Sequence, residues 1–316
     1  MAQLEVRLET VTPLFLGGSD PRGAPELRAA SFRGVLRFWL RALLGGVLGD
    51  RNLDDLRKAE AAVFGSTDAA SPVVVRLAGD DQAGAFRPLL HNPQKTFTLQ
   101  GIRPGQQLTL TLAARPPDSF ISDAAYAALL IFVLLGGLGK RSRRGFGSFI
   151  IRPGSENHPF SVPDYTNTDH FAEQLPLLIQ EAREKTKSLV QKLGLASRVP
   201  NDPPQFPIIH ERYCKVLFCK NQFNSWEGAM KDFWGLLRSN KYKDNPVFGF
   251  AGKAGRQGSP LHVRIVRIND KYHLLCSAFK LRFEKAQPSW NIMEQFLEEC
   301  CQRWNGSWAF GGSSTW

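Results

Sequence analysis

A chain of 316 residues with 43% hydrophobic content can bury a large core, and its length fits two domains better than one, which excludes disorder as a description of most of it. Forty Lys and Arg against 29 Asp and Glu leave a net charge of +11, with a basic excess in both halves, a sign that suits nucleic acid or an anionic surface. The start of the chain shows no basic segment leading into an apolar one, the longest apolar run, Ala124–Leu138, is shorter than the roughly 20 residues that span a bilayer, and five scattered cysteines do not read as a disulfide framework, so a cytoplasmic protein with no membrane contact is expected.

In chain order, Leu4–Val11 alternates apolar and charged residues and predicts a half-buried strand, broken by Gly17-Gly18-Ser19-Asp20-Pro21. A helix is predicted over Phe32–Leu44, capped by Ser31 and stopped by Gly45-Gly46. Arg33, Arg37 and Arg41 recur on it at every fourth position, one cationic stripe with no acid between Glu26 and Asp50. A short helix over Leu53–Val63 leads into Phe64-Gly65 and a strand over Ser71–Leu77; residues 84–105 form a proline-containing excursion, and Gln107–Ala114 alternates again. An apolar helix opening at Ser122 or Asp123 and ending at Leu135 runs into Gly136-Gly-Leu-Gly-Lys140-Arg-Ser-Arg-Arg144-Gly-Phe-Gly147, followed by a strand over Phe146–Ile151.

Residues 154–207 loosen into a proline-rich connector with one charged helix near Leu177–Leu193. The order then repeats: strand Tyr213–Cys219, helix Trp226–Leu237, strands Leu261–Ile268 and Tyr272–Phe283 about an Asn269-Asp270 turn, helix Trp290–Trp304 and a short strand Trp308–Phe310. Phe64-Gly65 with Ser71-Pro72 and a strand carrying Arg76 has its counterpart in Phe248-Gly249 with Ser259-Pro260 and a strand carrying Arg264. The repeat predicts a duplicated unit. The expected class is α+β, with two tandem ferredoxin-like (βαββαβ, RRM-like) domains built on antiparallel sheets, residues 1–153 and 208–316, joined by the connector 154–207.

The glycine-rich loop is the most informative local feature. Glycines let a backbone approach a ligand, and Lys140, Arg141, Arg143 and Arg144 supply the charge that phosphates seek. The candidates for contact with a phosphate backbone are therefore Arg33, Arg37 and Arg41 on the first helix and Gly136, Gly137, Gly139, Lys140, Arg141, Arg143, Arg144, Gly145, Phe146 and Gly147 in the loop, with Phe146 available for base stacking. No cofactor is expected and no metal site: Cys214 and Cys219 fall on opposite faces of one strand, and Cys300-Cys301 are adjacent on a helix. Nor is a catalytic group evident, since residues 24–57 hold no His, Tyr or Lys, and His91, His158, His170 and His210 fall in expected loops or the connector.

The loop Gly136–Ser148 within a duplicated unit resembles the RAMP superfamily of CRISPR–Cas RNA-binding proteins. Thr12-Pro-Leu-Phe-Leu-Gly-Gly18, Pro25-Glu-Leu-Arg28 and Ser31-Phe-Arg-Gly-Val-Leu-Arg-Phe-Trp-Leu-Arg41 are similar to the first-subunit branch of the type III-B Cmr effector complexes. The resemblance covers the first 150 residues well and the rest thinly. It implies a non-catalytic subunit at one end of an RNA-guided antiviral assembly, with the 3′ portion of a guide RNA, target single-stranded RNA and other RAMP subunits as partners. The alternative is a RAMP endoribonuclease that processes guide precursors. The second half has no basic cluster near Gly306–Gly312, so its expected role is contact with neighbouring subunits.

Overall fold

Alternation along residues 107–114 buries Leu108, Leu110, Leu112 and Ala114 on one side, and that side is the core of a four-stranded antiparallel sheet. The computed structural model describes residues 3–18, 20, 23–90, 92, 94, 96–153, 161–199, 201–252, 255–284, 287–313 and 316; His91 and His158 lie outside them. The chain runs β1 (Gln3–Thr10), α1 (Ala29–Leu48), α2 (Leu53–Phe64), β2 (Val73–Gly79), a hairpin of β3 (Ala83–Phe86) and β4 (Leu99–Ile102), β5 (Gln107–Ala114), α3 (Ser119–Leu135) and β6 (Phe149–Ile151). After α4 (Thr168–Lys192) come β7 (Cys214–Phe223), α5 (Trp226–Leu237), a small hairpin of β8 (Phe250–Gly252) and β9 (Gly255–Gln257), β10 (Leu261–Ile268), β11 (Lys271–Phe279), α6 (Trp290–Arg303) and β12 (Gly306–Phe310). The two main sheets have the orders β2-β5-β1-β6 and β10-β11-β7-β12, with every neighbouring pair antiparallel. They are built from corresponding strands of the two halves, in a mixed α/β architecture.

The halves differ in what covers them. Beneath the first sheet, α1 and α3 fill one face, and Arg7, Thr109 and Ala78 pair across three strands on the other. Both faces of the second sheet are covered. Cys214, Val216, Phe218, Leu275 and Phe279 join α3 and α4 in one core cluster, while Leu217, Cys219, Leu274 and Cys276 join α5 and α6 in another. That is why β7, β10 and β11 are buried along most of their length instead of at alternate residues.

Several expected boundaries move, each for a packing reason. The first helix is not stopped by Gly45-Gly46 but runs through them to Leu48. A Cβ at Gly46 would lie 2.3 Å from the Ile209 carbonyl oxygen, so the glycines let the connector lie against the helix. Arg28 precedes α1 without a side-chain cap, and Asp118, not Ser122 or Asp123, caps α3 by accepting from the Ile121 amide. The connector helix starts at Thr168 behind an Asn167 cap and carries Pro176 inside it, because Phe171, Leu175, Leu178 and Ile179 already pack there. The last strand of the first half begins at Phe149 rather than Phe146. The excursion 84–105 contributes the β3–β4 hairpin.

The sequence repeat is a structural one. Gly65 and Gly249 have φ of 72° and 86°, and a Cβ on either would meet the Ser71 or Ser259 amide nitrogen at 2.7 Å. The hydroxyls of Ser71 and Ser259 each donate to a carbonyl two residues on, at 2.6 and 3.0 Å. Both halves thus use the same turn to enter their second strand.

Buried charge ties the halves together. Glu9, 3% exposed, receives Arg152 at 2.7 Å from its own half and Arg267 at 2.5 Å from β10. The buried Arg264 donates to the Phe149 carbonyl at the edge of the first sheet. Breaking such a buried pair strands the surviving charges. Glu9→Ala is therefore expected to lower stability by roughly 2–4 kcal/mol, measured by denaturant unfolding, and a change indistinguishable from zero would show that the pair holds nothing.

Candidate nucleic-acid interface

The glycine loop leaves α3 at Gly136 and returns to β6, folding back on itself and on the segment after β1. Five of its amides are in use. Gly136 donates to Phe132, Leu138 to Gly147, Lys140 to Phe15, Arg144 to Arg141 and Gly147 to Pro13, at 2.8–3.0 Å. Gly139 and Gly147 have φ of 85° and 65°, and a Cβ there would sit 2.4 Å from the Phe15 oxygen and 2.0 Å from the Leu138 oxygen. Gly136, Gly137 and Gly145 are buried as well. Phe146 is 1% exposed, its ring 5.0 Å from Phe15 and 5.9 Å from Trp226. Of the residues expected to face RNA, the structure buries Gly136, Gly137, Gly145, Phe146 and Gly147 in the closing and docking of the loop, and leaves Gly139 half-buried.

The cations of the loop divide into two groups. Arg143 crosses to the second half, where its Nη1 donates to the Ser259 carbonyl at 3.0 Å, its carbonyl accepts the Val263 amide at 3.2 Å, and Gly258 leaves room for the guanidinium. Its guanidinium carbon also lies 6.0 Å from the centre of the Phe38 ring on α1. Arg144 bridges to Val263 and sits 4.9 Å from the Trp234 ring centre on α5, a cation–π contact. Lys140 is exposed, and Arg141 adopts φ of 63° at the turn of the loop.

Among the described residues no carboxylate ion-pairs with Arg141, Arg143, Arg144 or Arg238, the residue that follows α5. Burial, then repulsion from Arg141, Arg238 and Arg143, pushes Arg144 down to about 10. Burial and then Arg238 lower Arg141, and burial lowers Arg143. All stay cationic at neutral pH. Crowded, partly desolvated and unneutralised positive charge is the electrostatic condition for binding an anion.

The stripe on α1 is arranged differently. Glu60 on α2 takes both Arg37 and Arg41 at 2.7 Å, and Arg37 also donates to the Phe64 carbonyl at 3.2 Å. The stripe read as lacking acids shares one carboxylate from a neighbouring helix, which leaves it with a net positive charge. Arg37 and Arg41 remain partly exposed along a cleft of about 690 Å³ that also carries Arg57, Lys58 and Phe206. Arg33 Nε is buried without a hydrogen-bond partner. Contacts between α1 and the loop include Phe38 beneath Arg143 and Trp39 against Gly136.

Of the described histidines, His170 pairs with Asp164 at 2.8 Å and His210 lies 3.8 Å from Glu211. His262, beside the loop, is 4% exposed among Phe38, Trp39 and Phe279. Cys214 and Cys219 do face opposite core clusters. Among the described residues no group of three or more His, Cys, Asp or Glu could hold a metal ion, and no helix is long and apolar enough to cross a membrane. Sequence reading missed Glu60, Trp234, Ser259 and Arg238. Ser259 carried a signal in the duplicated turn, and Arg238 opens a basic stretch with Lys241 and Lys243.

A duplicated antiparallel sheet with a basic glycine loop wedged between its copies is the arrangement of a RAMP protein, and residues 7–150 match the model of the RAMP superfamily. One relative, the CRISPR system Cmr subunit Cmr1-2 of Pyrococcus furiosus, is 30% identical over 177 residues, 92% of its length and 46% of this chain. Cmr1-1 of the same organism is 27% identical over 92% of this chain and 93% of its own. The apo crystal structure of Cmr1 from Pyrococcus furiosus superposes with a TM-score of 0.69 at 22% identity, covering 99% of this chain and 100% of that one. A chain in the cryo-EM structure of type III-B Cmr-beta bound to cognate target RNA gives 0.62 at 12% identity, over 95% and 100%. The chain belongs to the RAMP superfamily, in its Cmr1 branch.

The buried His262 makes a pH prediction. Burial first, then Arg143 and Arg144, hold it well below its ordinary value of 6.5. It stays neutral in the fold, whereas the unfolded chain takes up a proton below pH 6.5, so its contribution to stability falls as pH drops below that value. His262→Leu is expected to flatten the fall of unfolding free energy between pH 6.5 and 5 by up to about 1.4 kcal/mol per pH unit. Parallel pH profiles for the two proteins would assign the acid sensitivity elsewhere.

Proposed function

We propose that the protein is a non-catalytic RNA-binding subunit of a type III-B Cmr interference complex. It acts in the cytoplasm in antiviral defence, holding the 3′ portion of the guide RNA and target single-stranded RNA beside other RAMP subunits. The observation that carries this reading is the set of loop arginines that no carboxylate among the described residues neutralises. The relatives are named as Cmr subunits, and a chain of the same fold sits in an assembly bound to target RNA. We read the shared strand order as two ferredoxin-like domains, residues 1–153 and 208–316, with 154–207 as a connector whose helix α4 also walls the second sheet.

The competing reading is a guide-processing endoribonuclease. It would need an acid–base group at the loop, and the described histidine nearest the loop arginines is His262, enclosed by aromatic rings. Incubating the protein with repeat-containing RNA decides between them: intact RNA agrees with a binding role, and metal-independent cleavage at a defined site overturns it.

The binding test uses Lys140 and Arg141, because Arg143 and Arg144 also hold the second half in place. Lys140→Ala/Arg141→Ala is expected to weaken binding to single-stranded RNA about tenfold, with little dependence on sequence, and to lower the salt slope by about 1.4. Fluorescence anisotropy across a salt series measures both. Unchanged affinity and slope would discard the loop as the contact.

A further inference from the structure

Two loop arginines, Arg141 and Arg144, lie near enough to Arg238 of the second half for their charges to repel, with Arg144 seated on Trp234. The turn in which the Arg144 amide donates to the Arg141 carbonyl, at 2.8 Å, brings Arg141 and Arg144 together. Arg144 is fixed over the Trp234 ring at 4.9 Å, and the Arg238 amide donates to the Trp234 carbonyl at 3.0 Å, placing Arg238 one turn further along the same face of α5. Their mutual repulsion registers on both loop arginines.

Two acids of the same half, Asp232 and Glu299, have cationic partners of their own. Asp232 takes Arg303 at 2.6 Å and the Trp304 indole at 2.7 Å, and Glu299 takes Lys241 at 2.8 Å and the Tyr242 hydroxyl at 2.6 Å. The carbonyls at the end of α5 favour one cation there. They do not account for three. A fold that pairs Glu9, Glu60 and Lys215 with opposite charges and leaves these guanidinium groups unpaired holds an anion site ready.

We propose that Arg238 completes, with Arg141 and Arg144, one phosphodiester-binding site shared by the two halves, so that the second half grips the nucleic-acid backbone directly. The proposal rests on the RNA-binding reading and extends it to a residue outside the glycine loop. Because Trp234 is buried under Arg144, the site takes phosphate and not a base, and it is indifferent to sequence.

The test measures binding of the full chain to a mixed-sequence single-stranded oligoribonucleotide across a salt series, for Arg238→Ala, Arg238→Lys, Arg141→Ala and the Arg141→Ala/Arg238→Ala double variant. Arg238 is exposed, and circular dichroism confirms that each variant folds. The proposal expects Arg238→Ala to lose about five- to tenfold in affinity and about 0.7 of the salt slope, and Arg238→Lys to recover part of both. The double variant should lose less than the product of the single losses, since both arginines serve one phosphate. If Arg141→Ala weakens binding and Arg238→Ala does not, the shared site is wrong while the RNA-binding function stands. If neither weakens it, the shared site and the loop contact are both wrong and RNA is held elsewhere; if the unaltered chain binds no RNA, the function itself fails. Loss of polyglutamate binding without loss of RNA binding in Arg238→Ala would make this a protein-docking surface and overturn the proposal.

Discussion

The Val263 amide donates to the Arg143 carbonyl across the seam between two sheets, and the arrangement of the molecule follows from that contact. Around it lie Arg144 on Trp234, Arg143 on Ser259, Phe146 against Trp226 and Arg264 reaching Phe149. A loop at the edge of one sheet thereby becomes the packing partner of the next. The covered strands β7, β10 and β11 depend on this docking, since their apolar faces on both sides need cover from the first half as well as from α5 and α6.

The same loop carries structure and charge, and the two demands conflict. Docking requires the arginines to be partly desolvated, which penalises a cation without an acid beside it. Arg143 offsets this with a carbonyl and Arg144 with an aromatic face. Neither partner removes the charge. The field of the cluster is therefore retained, which is what a polyanion needs and what an all-structural seam would have neutralised. Glu9 and Glu60 show the contrast: where the fold uses arginines as ties alone, a carboxylate sits between two of them.

Duplication explains why two halves with the same strand order differ in role. Both keep the glycine–serine turn into the second strand, in near-identical geometry. The segment that follows the second helix differs: in the first half it is the basic loop, in the second a direct passage from α6 to β12. Arg238 restores cationic character to the second half at a different point, the end of its first helix.

The sequence by itself determined the order of the main strands and helices, the repeat and the concentration of charge after α3, because periodicity and composition are properties of neighbours along the chain, but not the β3–β4 and β8–β9 hairpins. Leu108, Leu110 and Leu112 declare a strand face without reference to anything distant. Element ends were less legible: Gly45-Gly46 reads as a stop until Ile208 and Ile209 are seen lying on it. Charge pairing was not legible, since Glu60 is 23 residues from Arg37 and reaches it only by helix packing. Only the tertiary structure decided that Phe146 and most of the loop glycines are packed away, that Arg37 and Arg41 share the Glu60 carboxylate, and that Arg144 lies on Trp234 of the second half. Each depends on which surfaces meet, and that is set by burying the second sheet on both faces.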